Sequence, residues 1–443
     1  MFVDTIAAVS TPFGAGAIAL LRVSGSEARE IVARIWRGQA LSVPRHAYFG
    51  AIVDDAGRAI DQVLATWFQA PASYTGEDLV EIACHGGLLV TQRIAELLLG
   101  AGARPADPGE FTQRAFLNGK MDLTQAEAVM DLISAQSTLA LRAANEQLQG
   151  RLGQKMRELR EALLADLAHV EAWLDFPEED IDPDSGRTLE RRIVATHEKV
   201  DALLATADQG RVLRGGVRTV ITGAPNVGKS SLLNLLLGFE RAMVSDIAGT
   251  TRDTIEEVIN LRGLPLRLVD TAGWRESSDA LERESMVRTQ RALDAADLVL
   301  ELADASLARE MFASAEIGVR RLLVLNKIDL GEHPSWRGTE AVRLSCKEKT
   351  GVEALATSVF SAVATGEAPW GPDLVTINAR HKNCLERARG YLVAALELVA
   401  RGGPSEFVAE ELRSALQAIG DVIGKVESEE LLGVIFGRFC IGK

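Results

Sequence analysis

Residues 223–231 read GAPNVGKSS, and the spacing G-x-x-x-x-G-K-[ST] places Gly223, Gly228, Lys229 and Ser230 in a Walker A register. Glycines let such a loop curl until its N–H groups face phosphate oxygens. Lys229 would set a point charge at the β and γ phosphates, and Ser230 would offer a hydroxyl to magnesium. Asn226, Val227 and Ser231 complete the candidate phosphate-binding set. The valine-, isoleucine- and threonine-rich run at 217–222 before the loop and the largely apolar run at 231–237 after it predict a strand and then a helix. That context separates a phosphate loop from a Gly-rich surface turn.

The base preference is written further on. An apolar run at 322–325 ends in Asn326-Lys327-Ile328-Asp329, an N-K-x-D. A carboxylate at Asp329 can accept from N1–H and the 2-amino group of guanine. Adenine lacks that donor pair and would leave the acceptor unpaired. Asn326 is expected to tie this loop to the phosphate loop, and the Lys327 stem to lie along the base. Ser345-Cys346-Lys347 follows a second apolar run and fits the third base-side loop of GTPases, with Cys346 read as a small buried residue rather than a redox group. Asp270-Thr271-Ala272-Gly273 is a D-x-x-G, whose aspartate would hold magnesium through water and whose glycine N–H would meet a γ-phosphate. Residues 248–253 read AGTTRD, and Thr251 is the threonine expected to close over the metal. Ras-type enzymes follow D-x-x-G with a water-orienting glutamine; this chain has Trp274. Glu276, Asp279, Glu282 and Glu284 are the nearby alternatives, and Arg252 and Arg275 read as solvated switch-loop charges rather than arginine fingers.

The elements that must position these loops alternate strand and helix, which predicts a mostly parallel, doubly wound P-loop (Ras-like) α/β domain at 211–375, closed by a Gly/Pro-rich breaker at 366–372. Both flanks read helical. Leu148, Leu152, Leu159, Leu163, Leu167, Val170 and Leu174 share one helical face, and Leu189, Ile193, Val200, Leu203 and Leu204 suggest a second helix. Residues 384–399 and 407–419 are again amphipathic. One discontinuous all-α domain, 121–210 and 376–443, is the economical reading, because helices on both sides of the insertion must bury apolar stripes; two separate helical domains are the alternative. Residues 1–120 read as a small α+β domain, with strands near 5–10, 17–23, 63–68 and 79–83.

Composition bounds the partners. At 443 residues and 47% hydrophobic, the chain is ample for several cores. Its 62 acids against 48 Lys and Arg leave a net charge of −14, which argues against a surface devoted to nucleic acid. Any RNA contact needs a local patch or a partner. The four cysteines, at 84, 346, 384 and 440, form no C-x-x-C pair. The N-terminus lacks a basic start and a long apolar run, and no stretch reaches bilayer length. A cytoplasmic protein with reduced thiols and no membrane association is expected.

Five blocks together resemble the MnmE (TrmE) family of tRNA-modification GTPases: DTIAAVSTPFGAGAIALLRVSG at 4–25, SYTGEDLVEIACHGG at 73–87, PGEFTQRAFLNGKMDLTQAEAV at 108–129, the GTPase motifs, and the terminal FCIGK at 439–443. The resemblance covers essentially the whole chain. It implies a folate-binding N-terminal domain that dimerises, a discontinuous helical domain and an inserted GTPase domain. It implies a homodimer that works with the FAD-dependent protein MnmG (GidA). Together they would install an aminomethyl or carboxymethylaminomethyl group on carbon 5 of the wobble uridine of certain tRNAs.

The resemblance also assigns roles. Arg22, Glu81, Lys120 and Lys443 match positions that contact a reduced folate, 5-formyl- or 5,10-methylene-tetrahydrofolate. Read without it, Arg22, Glu81 and Lys120 would be a surface arginine, a structural glutamate and a capping lysine. Asn226 matches a potassium ligand, with the carbonyls of Ser245 and Ile247 and with Thr250. The family more often has threonine at 245, a change that a backbone ligand tolerates. Glu282 matches a water-orienting glutamate. Cys440 invites a nucleophile reading, but its apolar neighbours in sequence should raise a thiol pKa, which favours a role in placing the C-terminus. The rival reading from another class is a regulatory GTPase that binds ribosomes or RNA, since AGTTRD is shared with such proteins. Reduced-folate binding separates the two.

Overall fold

The computed structural model describes residues 4–175, 186–239, 257–268, 293–309, 319–364, 375–424, 429–437 and 439–443. They fall into two compact units, Met1–Met130 with Gly420–Lys443, and Asp131–Ile419.

The first unit is built on a seven-stranded sheet. In chain order its elements are β1 (Ile6–Val9), β2 (Ile18–Ser24), α1 (Ala28–Ile35), β3 (Trp36–Gly38), β4 (Ala47–Val53), β5 (Ala59–Phe68), β6 (Leu79–His85), α2 (Leu88–Gly100), β7 (Arg104–Pro105), α3 (Glu110–Leu117) and α4 (Leu123–Ser134), the last crossing into the second unit. The strand order is β3-β4-β5-β6-β2-β1-β7, antiparallel except for β1 beside β7. Helix α1 buries Ala28, Ile31, Val32 and Ile35, the i, i+3, i+4, i+7 spacing of a single apolar stripe. Along β5, Val63, Ala65 and Trp67 alternate inward to join that core. The opposite face stays open: Ile18 is 70% exposed, Phe49 67% and Leu64 48%. Phe49 pairs with Leu64, and Leu64 with Ala83, so these apolar side chains form one continuous patch across β4, β5 and β6.

The second unit carries the helices and the nucleotide motifs. Helix α5 (Thr138–Leu148) is capped by Ser137, whose hydroxyl accepts from Ala140 N at 3.2 Å. The apolar face expected to run on from Leu148 is interrupted here. The chain turns at Gly150, with φ 84°, so Leu148 ends α5 and the stripe restarts at Leu152 in α6 (Arg151–Asp175). Helices α7 (Gly186–Leu204) and α8 (Ala207–Gly215) follow, so Arg211 lies inside a helix and the sheet begins at Val217.

The remaining elements are β8 (Val217–Thr222), α9 (Lys229–Phe239), β9 (Glu257–Leu261), β10 (Leu264–Leu268), β11 (Leu298–Asp304), β12 (Arg320–Asn326), β13 (Val342–Arg343), α10 (Val352–Val363), α11 (Ala379–Ala400) and α12 (Ser405–Ile423). The six-stranded sheet runs β13-β12-β11-β8-β10-β9, parallel except for the β9–β10 hairpin. Helices from both sides of the inserted sheet pack on one another, α7 against α11, and Arg413 of α12 pairs with Glu171 of α6 at 2.7 Å. The helical domain is therefore discontinuous in sequence.

The chain re-enters the first unit at Gly420, near the end of α12, and continues into α13 (Glu429–Phe436). Phe436 and Phe439 are buried with Leu123 and Ala126. Beyond them the tail lies against β1: Ser10 Oγ donates to Gly442 O at 3.0 Å, and Phe111 N donates to Lys443 O at 3.2 Å. No helix among the described residues is long and apolar enough to cross a membrane.

Candidate functional site

The phosphate loop leaves β8 and enters α9, as the strand–loop–helix reading requires. Its glycines are fixed by close approach. A Cβ on Gly223, with φ 144°, would lie 2.2 Å from Leu302 O, and one on Gly228, with φ 101°, 2.3 Å from Asn326 Nδ2. Val227 is buried in the core, while Asn226, Ser230 and Ser231 are exposed, the two serines on the first turn of α9. Lys229 Nζ donates to the carbonyls of Gly223 at 3.0 Å and Ala224 at 2.9 Å, and burial lowers its pKa.

Three loops meet at Asn326. It is 2% exposed; its Nδ2 donates to Val227 O at 2.8 Å and its Oδ1 accepts from Cys346 N at 3.1 Å. One amide thus spans the phosphate loop and the third base-side loop. The Asp329 carboxylate accepts from Ser345 Oγ at 2.5 Å, and that serine is fully buried and also accepts from Glu348 N. Cys346 is half-buried beside them. Burial, and then the charge of Asp329, push its thiol up to about 11, so it stays protonated at neutral pH. Lys347 is exposed. Lys327 has a left-handed backbone, φ 64°, and its ammonium donates to Asn226 O at 2.8 Å and to Asp304 Oδ2 at 2.7 Å.

Ser245, Ile247, Thr250, Thr251, Asp270, Thr271, Ala272, Gly273 and Glu282 lie outside the described residues, as do Trp274 and the other water-orienting candidates. Among the described residues, no group of three or more His, Cys, Asp and Glu is placed to hold a metal.

A second cluster forms where the chain ends meet in the first unit. Arg22 and Glu81 are direct partners in the β2–β6 register, joined by a 2.9 Å bond from Nε to Oε1. The Arg22 guanidinium stands 5.3 Å from the Tyr74 ring centroid, and Tyr74 OH bonds Thr112 Oγ1 at 2.9 Å. Lys443 is half-buried within electrostatic reach of both. Burial, and then the positive charge of Arg22, lower its pKa, partly offset by Cys440 and Glu81. Lys120 is placed differently: its Nζ donates to Pro71 O at 2.9 Å and its stem runs past Gly76, so it braces the segment that carries Tyr74. Phe436 and Phe439 turn inward, while Cys440 is exposed. A donor set of one carboxylate, two cations and an aromatic ring fits a flat heterocycle with an anionic tail. Sequence reading names neither Tyr74 nor Asp304. The available signals were an aromatic inside the S-Y-T-G-E-D block and an acid closing an apolar strand.

Comparison with known proteins places this architecture. The profile of the MnmE helical domain matches residues 123–440, and that of the GTP-binding protein TrmE N-terminus matches residues 5–120. Among curated relatives, a tRNA modification GTPase MnmE of Akkermansia muciniphila is 53% identical over 445 residues, covering 99% of each chain. Proteins of that name from Geobacter sulfurreducens and Acetivibrio thermocellus are 46% and 41% identical, again over 99% of each chain. With both ends of the chain and its interrupted helices matched, the chain belongs to the MnmE (TrmE) family.

Proposed function

We propose that this chain hydrolyses GTP in the service of tRNA wobble-uridine modification, as a potassium-activated cytoplasmic homodimer partnered by the FAD-dependent MnmG. One observation carries the reading: base and phosphate loops tied by Asn326 occur in a chain similar, end to end, to proteins named tRNA modification GTPase MnmE. Asp329 would read the guanine edge, with Ser345 fixing its carboxylate. Main-chain N–H groups of 226–231, at the start of α9, would hold the phosphates beside Lys229. Ser230 and Thr251 would hold magnesium, which when bound neutralises charge on the β and γ phosphates. Asn226, the Ser245 and Ile247 carbonyls and Thr250 would hold potassium, which supplies the positive charge that an arginine finger supplies elsewhere. Glu282 would orient the attacking water.

In the first unit, Glu81 can grip the donor edge of a pterin, and Arg22 and Lys443 suit the glutamate tail of a reduced folate, the source of the one-carbon unit, with Lys120 exchanging its bond to Pro71 O for the tail. The grouping of Arg22, Glu81 and Lys443 supports this over the switch-only rival. The open apolar face of the sheet supports pairing of two N-terminal domains. The acidic balance of the chain supports tRNA contact through the complex rather than through this subunit alone.

The test joins two measurements. Wobble uridines from cells lacking the protein are analysed by mass, and the purified enzyme is assayed in potassium and in sodium at equal ionic strength. Loss of the carbon-5 group, restored by the wild-type gene, and faster hydrolysis in potassium are expected. Unaltered uridines overturn the modification reading, and equal rates in the two salts overturn the potassium site.

A further inference from the structure

Asp304 is a buried acid beside the nucleotide loops to which the nucleotide reading gives no role. It closes β11 at the edge of the sheet from which the phosphate and base loops leave, in register with Asn326 of β12. It is 8% exposed. Its Oδ2 accepts from Lys327 Nζ at 2.7 Å, and its Oδ1 accepts from Ser306 N at 3.0 Å and Ser306 Oγ at 2.7 Å. Both oxygens are committed, which fixes the side chain in one rotamer. Lys327 then runs on to Asn226 O at 2.8 Å. Asn226 and Lys327 both have left-handed backbones, φ 63° and 64°, a conformation that persists in non-glycine residues only where surrounding contacts hold it. The lysine is thus a staple between two strained loop residues, and Asp304 is what aims it.

We infer that Asp304 is a positioning residue for guanine nucleotide. By holding Lys327 against Asn226, it locks the base loop to the phosphate loop, so that ring and phosphates are gripped as one unit. The inference rests on the GTP reading of the site. Its logic is electrostatic as well as steric. An ammonium paired with a buried carboxylate cannot swing toward phosphate oxygens, and its straightened stem offers a methylene surface beside the ring. The parallel tie from Asn326 to Val227 remains when Asp304 is lost. The effect should therefore be graded: nucleotide leaves faster, but the site still forms.

The experiment uses the full chain and the fluorescent nucleotide mant-GDP. Asp304→Asn preserves shape and removes the charge. It is expected to raise the mant-GDP release rate about tenfold, the scale of one lost charged hydrogen bond, and to raise KM for GTP more than it lowers kcat. Ser306→Ala, which frees Oδ1, should act in the same direction more weakly and decides the matter if the first variant fails to fold. Lys327→Met with Asp304→Asn should release nucleotide no faster than Lys327→Met alone, because the two residues act through one bond. Release rates in Asp304→Asn equal to wild type, or additive effects in the double variant, overturn the inference. A lower unfolding midpoint with unchanged release would make Asp304 structural only, and also overturns it. Wild-type protein that fails to bind mant-GDP at all would sink the GTP reading itself, which keeps the two failures distinct.

Discussion

The Asp329 carboxylate is held by the buried Ser345 hydroxyl, so its acceptors point one way instead of sampling rotamers. Asp329→Asn keeps the shape and replaces an acceptor with a donor. GDP affinity should fall about ten- to two-hundredfold, the scale of a hydrogen bond to a charged group, while xanthosine diphosphate, with its 2-oxo group, should gain. Competition titration of the two nucleotides checks this, and an unchanged GDP affinity would remove Asp329 from the base site. A second residue-scale case lies in the other unit. Arg114 is fully buried, and its guanidinium bonds Asp4, Glu77 and Glu110. Burial alone would raise the carboxyls of Asp4 and Glu110, but the bonds from Arg104 and Arg114 outweigh it and leave both lowered. Arg114→Met takes one of two arginine partners from the buried Glu110 and the arginine partner of the half-buried Glu77, and should destabilise the unit by about 2–3 kcal/mol at pH 7. Because the folded pKa values are depressed, this stabilisation is present above the ordinary carboxylate range and disappears as pH falls through the depressed values. Urea midpoints of wild type and variant should therefore converge in acid; a gap independent of pH would assign the loss to packing instead. Asn326 and Asp329 were legible because N-K-x-D has a fixed spacing. Arg114 and Asp304 were not, since a single charge in a helix or at a strand end reads the same whether it is solvated or buried.

Elements differ in legibility for physical reasons. Strands β8 and β12 and helices α7 and α11 show in sequence because burial on one or both faces imposes an apolar run or stripe long enough to read. Strands β3 and β7 are three and two residues long, too short for any period, and β4 is masked by Gly50, which is required where a Cβ would strike the Trp36 ring at 2.5 Å. Helix α5 shows how an element can be placed by what it touches. In the β9–β10 turn, Gly263 has φ 86°, and a Cβ there would lie 2.8 Å from Leu139 Cγ of α5. Arg262 of the same turn pairs with Glu353 at 3.0 Å. This hairpin lies in sequence between the AGTTRD and D-x-x-G segments, so its seat on α5 joins the switch-bearing sheet to the helices. Gly263→Val adds both left-handed strain and overlap with Leu139, and should destabilise the second unit by about 1–4 kcal/mol in urea unfolding. Adding Leu139→Ala makes room and should recover part of the loss, a non-additive pair. Simple additivity of the two losses would show that the turn does not seat against α5.

At the scale of the whole chain, the unusual fact is that its first and last residues build one unit around a long insertion. The family resemblance implies that the terminal F-C-I-G-K carries Lys443 to the residues around Arg22; the structure lays it against β1 and α3, ending within electrostatic reach of Arg22 and Glu81. That convergence was not readable from spacing, because nothing in a sequence fixes where a tail docks after several hundred intervening residues. Gly442 makes the docking possible: its φ is 93°, and a Cβ would lie 2.4 Å from Val9 O, a backbone atom that cannot step aside. Gly442→Ala should therefore lift the tail and withdraw Lys443 without touching any ligand-facing side chain. If the cluster holds folate, this substitution and deletion of Lys443 should each weaken 5-formyl-tetrahydrofolate binding about tenfold or more, the scale of one charge-assisted bond. Affinity for mant-GDP should stay at the wild-type value, because the nucleotide residues belong to the other unit. Calorimetric titration of the full-length variants, with Arg22→Ala alongside, reads the result. Loss in Arg22→Ala alone would reduce the tail to a structural strap, and unchanged affinity in all three would take the folate site away from this unit altogether.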